Sequence, residues 1–178
     1  LADFSEIEKR ITTLSINILR LRAESDNKKL IFPEDMKIDY PDLVNDALQL
    51  FQVRKNKNKA LLEEQEKILK NEKNSLKLLE EQVNISKSLL EEQLTNRLKH
   101  LDLLKERNAV LSRIEGSVSS IKKIKETYET DVRTQLLKEI SEYEELIERK
   151  NKFKDSLNRT LVKAPEEGII KQRFVDTI

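Results

Sequence analysis

The chain has 178 residues, 38% of them charged, with 34 Lys and Arg against 33 Asp and Glu and a formal net charge of +1. An average domain is roughly 25% charged and about 7% glycine, whereas this one holds 2 Gly, 3 Pro, 3 Tyr, 5 Phe and neither Trp nor Cys. Such turn poverty excludes sandwiches, barrels and loop-rich enzyme folds, abundant Leu, Ile and Val exclude disorder, and a mean hydropathy of −0.64 argues against one compact core. A mostly α, long-helix composition remains.

The two signs of charge are interleaved, so no basic stripe marks nucleic acid or an anionic bilayer as a partner. Without cysteine there are no disulfides, thiolate metal sites or Cys nucleophiles. No run approaches the roughly 20 apolar residues that span a bilayer. The chain opens at Leu1 without Met or signal peptide and reads as an excised fragment, with any membrane anchor outside it.

The first element, about Asp3 to Glu24, places Phe4, Ile7, Ile11, Leu14, Ile18 and Leu21 at alternating three- and four-residue spacing. That is a narrow coiled-coil seam over three heptads. From Ser25 to Pro41 the pattern breaks into Asp26-Asn27-Lys28-Lys29, Leu30-Ile31-Phe32-Pro33 and Tyr40-Pro41. A residue before proline avoids the α region, so both X-Pro steps mark boundaries and 27–41 is expected to be a linker.

A second helix is expected from about Asp42 to Gln93, with proline and an acid at its start. Leu62, Leu69, Leu76, Val83 and Leu90 recur every seven residues, and Leu61, Ile68 and Ile85 widen the stripe. The pattern falters at Leu94-Thr95-Asn96-Arg97, where Thr95 or Asn96 suits a helix cap. A third helix is expected from Leu98 to about Arg159, its seam reading Leu104, Leu111, Ile114, Val118, Ile121, a polar Lys125, Tyr128 and Val132. Beyond a stutter at Leu136 and Ile140, the face continues through Tyr143, Ile147, Phe153 and Leu157. Gly116-Ser117-Val118-Ser119-Ser120 is the weakest helical stretch and a candidate bend.

The spacing predicts an antiparallel hairpin over 42–160 that turns at about 93–97, with the first helix (1–26) running along the C-terminal half of the third. Laid end to end, the first two helices overrun the third by roughly 18 Å at 1.5 Å per residue, so they should overlap side by side. The last segment, from Leu161 to Val175, reads as two short strands about a Pro-x-x-Gly turn. A lone hairpin is marginal in water, so its expected context is a β domain interrupted by a helical insertion.

Three stretches carry a family resemblance: Arg159-Thr160-Leu161-Val162-Lys163-Ala164-Pro165-Glu166-Glu167-Gly168-Ile169-Ile170, Ile31-Phe32-Pro33-Glu34-Asp35 and Leu50-Phe51-Gln52-Val53-Arg54. In this order around a helical hairpin, they resemble the HlyD family of membrane fusion proteins, the periplasmic adaptors of type I secretion systems in Gram-negative bacteria. The resemblance implies that residues 161–178 are part of a lipoyl-like β domain, entered through Arg159, Thr160, Ala164, Pro165 and Gly168. It also implies a hairpin standing in the periplasm, anchored at the inner membrane by a segment outside this fragment. Its tip would meet a TolC-type outer-membrane channel and its base an inner-membrane ABC transporter, with self-association into a hexameric ring. Leu89, Leu90, Leu94, Thr95, Asn96 and Arg97 then form the channel-docking tip. No arginine stands upstream where many adaptors carry one; Lys87 is the nearest basic residue there.

No residue pattern points to catalysis or to a cofactor. His100 is the sole histidine and lacks metal-ligand companions, so it reads as a solvated helix residue. Adjacent acids such as Glu63-Glu64 or Glu91-Glu92 diverge by about 100° on a helix and are not paired for acid/base work. Lys122, Lys123 and Lys125 read as a solvated face, and Lys163 precedes Ala-Pro instead of occupying a turn tip, unlike a lipoyl acceptor. Two alternatives stay open, an adaptor of a tripartite drug-efflux pump and a generic coiled-coil scaffold. The β segment argues against the scaffold; the extra first helix and Phe-Pro linker argue against the efflux adaptor.

Overall fold

The computed structural model describes residues 2–160, which are arranged as four helices and contain no strand. Helix α1 spans Ala2–Ser25, α2 Glu34–Asp39, α3 Pro41–Glu91 and α4 Arg97–Thr160. The expected β segment lies outside the described residues.

The heptad stripe makes α1 a helix that needs a partner, and α4 supplies it. Ile7, Leu14, Ile18 and Leu21 are buried while Phe4 and Ile11 are half-buried. The hydroxyls of Thr12, Thr13 and Ser15 donate to the carbonyls four residues back, which satisfies them within the helix. Lys150 pairs with Glu8 at 3.0 Å, and Arg10 pairs with Glu142. These contacts set α1 antiparallel to α4, along its C-terminal half. The Glu142 hydrogen bond and charge raise the pKa of the exposed Arg10 guanidinium.

Between α1 and α3 the chain doubles back. Asn27 takes a left-handed conformation, with φ 51°. Asn27 N–H donates to Glu24 O and Lys28 N–H to Ala23 O, a Schellman closure in which asparagine replaces the usual glycine. The returning stretch of linker alternates, with Leu30 and Phe32 buried and Ile31 69% exposed. The expected linker also contains α2, a short helix that follows Pro33 with Glu34 and Asp35 in its first turn. Leu30 and Phe32 join Ile16, Ala23, Val44, Ala47 and Phe51 in an apolar cluster that reaches α1, linker and α3 together.

Helix α3 therefore starts beside α1, not beyond it. Both run antiparallel to α4, and Glu24 meets Arg54, 30 positions on. At that offset Pro41 lies level with Ile11, giving an overlap of about 15 residues, or roughly 22 Å, close to the expected side-by-side stretch. The molecule is three helices thick there and two helices thick on either side. Towards the turn, α3 and α4 are held by Arg113, whose Nε donates to both Glu72 carboxylate oxygens at 3.1 Å, and by Ser86 beside His100.

Two seam readings need correction. Leu111 and Val118 are 38% and 50% exposed, and the seam instead runs through buried Val110 and Ser117. On α3, Leu79, Val83 and Ser86 are buried, whereas Leu61, Ile68 and Ile85 are exposed. The small Ser117 and Ser86 side chains sit at the contact, and the bulkier neighbours one residue away point outward. Helix α4 continues unbroken through Gly116, where nothing lies within 4 Å of an added Cβ.

Candidate functional site

The expected docking residues converge at the hairpin turn, where both helix ends are capped by their own backbone or side chains. Glu92 closes α3, and Gln93 follows with φ 61°. Gln93 N–H donates to Leu90 O at 3.1 Å and Leu94 N–H to Leu89 O at 2.8 Å. This is a second Schellman closure, again without glycine, and it places Leu94 after Leu89 as the usual apolar pair of that motif. Asn96 then accepts from Lys99 N–H through Oδ1 at 2.8 Å and caps α4. Of the two candidate caps, Asn96 is the one used.

The six residues play different parts. Leu94 is 69% exposed and Leu89 37%, Leu90 and Thr95 are half-buried, Asn96 is engaged as a cap, and Arg97 opens α4 facing solvent. Leu98, 72% exposed, belongs to the same apolar end and was not anticipated. Its signal was present in the sequence, because two leucines flanking a capped turn have no helix left to cover them. His100 is half-buried, its Nδ1 3.2 Å from the hydroxyl of buried Ser86 across the hairpin. It is a tie between helices, not the solvated residue expected.

At the opposite end of the expected site, Arg159 lies exposed in the last turn of α4, and Thr160 is that helix's last residue. Ala164, Pro165 and Gly168 lie outside the described residues.

A second cluster, not anticipated, joins all three long helices. The Glu24 carboxylate is fully buried and accepts from Arg20 at 2.5 Å, from Arg54 Nε at 3.0 Å and from the Tyr128 hydroxyl at 3.3 Å. Arg20 is 5% exposed and Arg54 23%. Two cations against one carboxylate leave an excess positive charge, and the enclosed Nε of Arg20 has no hydrogen-bond partner. Partial burial, and then the charge of Glu24, raise the pKa of Tyr128. The cluster clamps the end of α1 to the hairpin at one register, since any sliding strips the carboxylate of its partners.

Among the described residues, no group of three or more His, Cys, Asp or Glu could hold a metal ion. No helix among them is long and apolar enough to cross a membrane. The arrangement offers surfaces and joints.

No protein-family model matches the chain. No curated protein matches it either. Among solved structures it is similar to the soluble domain of LipC, a membrane fusion protein of a type I secretion system. The TM-score is 0.50 at 20% identity, and the match covers 93% of this chain and 94% of that one. The fold is that of a membrane fusion protein. The likeness is one of fold, and it takes in 93% of this chain.

Proposed function

We propose that this chain is the helical part of a periplasmic adaptor of a type I secretion system, of the HlyD kind, which bridges an inner-membrane ABC transporter and a TolC-type outer-membrane channel for protein export. The observation that carries the reading is the likeness to the LipC soluble domain over 93% of this chain, whose described residues comprise the extra first helix as well as the hairpin. Residues 1–26, 27–41 and 42–160 serve as brace, return linker and hairpin. Residues 161–178, with Ala164, Pro165 and Gly168, continue from Arg159 and Thr160 into a lipoyl-like β domain. Adaptors assemble as a ring, with six copies the proposed number.

The proposed channel contact is the tip, Leu89, Leu90, Leu94, Thr95, Asn96 and Arg97. Leu94 is the natural centre of that contact, because it is 69% exposed and stands beyond the reach of the partner helix. Exposed apolar residues at the end of a capped hairpin suit helix-to-helix packing with a coiled-coil partner. Substituting Leu94→Asp puts a charge into that contact, and burying it unpaired costs more than the roughly 2–7 kcal/mol of an unpaired neutral polar group. The test is a secretion assay in cells making the full-length variant, with channel cross-linking and circular dichroism of the mutant chain. Lost export and lost cross-linking with unchanged helicity is the expected result; normal export with normal cross-linking removes the tip from the docking site.

A further inference from the structure

Helix α1 fills the groove between α3 and α4 only as far as Ser25, and the groove continues past it. The stretch beyond is an open cavity of about 540 Å³ walled by Arg54, Lys57 and Leu61 on α3 and by Ile124, Tyr128 and Asp131 on α4. Leu61 lies on the same face of α3 as Ala47 and Arg54, which α1 and the linker cover, yet it is 43% exposed. Ile68, two turns on and on that face as well, is 40% exposed. Ser117 and Ser120 keep the α4 side shallow.

The charge of the groove is uneven. Arg54, Lys57 and Lys123 stand against Asp131 alone on its walls. Arg54 is engaged by Glu24, but no ion pair among the described residues engages Lys57 or Lys123. From Arg54 to the Glu72–Arg113 pair that closes the far end is about 27 Å at 1.5 Å per residue, room for a helix of roughly 17 residues.

We propose that this groove docks an amphipathic helix of another protein, apolar on one stripe, acidic on its flanks, and laid in line with α1. The occupant follows from the interface already present: the same α3–α4 surface accepts α1 through an apolar stripe, and the continuation differs by carrying two unpaired lysines that call for carboxylates. A helix in a groove is read through residues at i, i+3, i+4 and i+7, and here Leu61, Ile68 and Ile124 provide the seats. This inference stands independently of the secretion reading, because it uses only the surface that α1 leaves bare.

The probe is a fluorescein-labelled helical peptide of about 17 residues with leucines at i, i+3, i+7 and i+10 and glutamates flanking them, titrated with the chain and read by fluorescence anisotropy. Two companion peptides replace the glutamates by lysines or the leucines by serines. Saturable binding of the acidic peptide is expected, weakened about tenfold or more in Lys57→Glu/Lys123→Glu. That double variant, with helicity checked by circular dichroism, should instead prefer the lysine peptide. Acidic-peptide binding that survives the charge reversal, or that the serine version matches, overturns the proposal. So does sedimentation showing self-association that Leu61→Glu abolishes, which would assign the groove to a second copy of this chain.

Discussion

Substituting Glu24→Gln tests whether the clamp holds α1 in place. The side chain keeps its size and can still accept one hydrogen bond, but the charge that balances Arg20 and Arg54 is gone. Removing one partner of a buried ion pair costs roughly 3–5 kcal/mol. The lower end applies, because Arg54 is already 23% exposed and can turn into water, whereas Arg20, 5% exposed, stays where it is. A loss of about 3 kcal/mol corresponds to about a 150-fold shift in the equilibrium between docked and released α1. Hydrogen exchange read by mass spectrometry separates the possibilities, because amides in Ala2–Ser25 should exchange about two orders of magnitude faster while those near the turn are unchanged. The triple variant Arg20→Met/Glu24→Leu/Arg54→Leu, which replaces the whole cluster by apolar groups, should regain most of the protection. Unchanged exchange in α1 of the Glu24→Gln protein would refute the clamp, and equally faster exchange at the turn would show that the cluster supports the entire hairpin instead.

Other predictions follow from single observations. Burial and Glu24 raise the pKa of Tyr128 above 10.0, so its contribution is complete at lower pH and is lost as pH rises through the raised value. Tyr128→Phe should therefore flatten the loss of stability above about pH 10 in urea titrations at a series of pH values. Gln93, at φ 61°, strains a position that glycine occupies freely, so Gln93→Gly should stabilise by about 0.5–1 kcal/mol despite the added chain entropy, while Asn96→Ala should cost about 1 kcal/mol, both by urea denaturation. Phe32→Ala should cost about 3–5 kcal/mol by the same measurement, and Ile31→Ser, next to it but 69% exposed, less than about 0.5.

The long helices and their order were legible because periodicity is a local signal summed over many turns. Register was less so. A seven-residue repeat through Leu111 and Val118 scores better by hydropathy than one through Val110 and Ser117, but the partner helix selects the latter, and the close approach there suits the smaller serine. In α1 the stripe from Phe4 to Leu21 is the face that meets α4, yet Ile16 and Ala23 are buried as well, in the cluster with α3 and the linker. A second apolar face in the last half of a helix is readable as a third partner. That the first two helices overlap follows from helix lengths, which give about 12 residues of it at 1.5 Å each, whereas the short α2 has too few residues to show a period.

The two parts of the site differ for the same reason. The turn is built from contiguous residues, so Asn96 as a cap and the leucines around it could be named from turn chemistry. Glu24 could not, because it is one acid among 33 and its partners lie 4, 30 and 104 positions away. What makes it special is total burial, which only the meeting of three helices creates. The resemblance had already singled out two of the residues involved in that meeting, Phe32 and Arg54, as parts of short motifs. The structure supplies their physical reason: Phe32 anchors the returning linker in the apolar cluster, and Arg54 fastens α3 to the end of α1. A hairpin braced at that point carries its fixed register upward through Glu72–Arg113 and Ser86–His100, and it ends in leucines that nothing among the described residues covers. That division of labour, with rigidity supplied below and apolar surface left free above, is what the proposed docking role of the tip asks for.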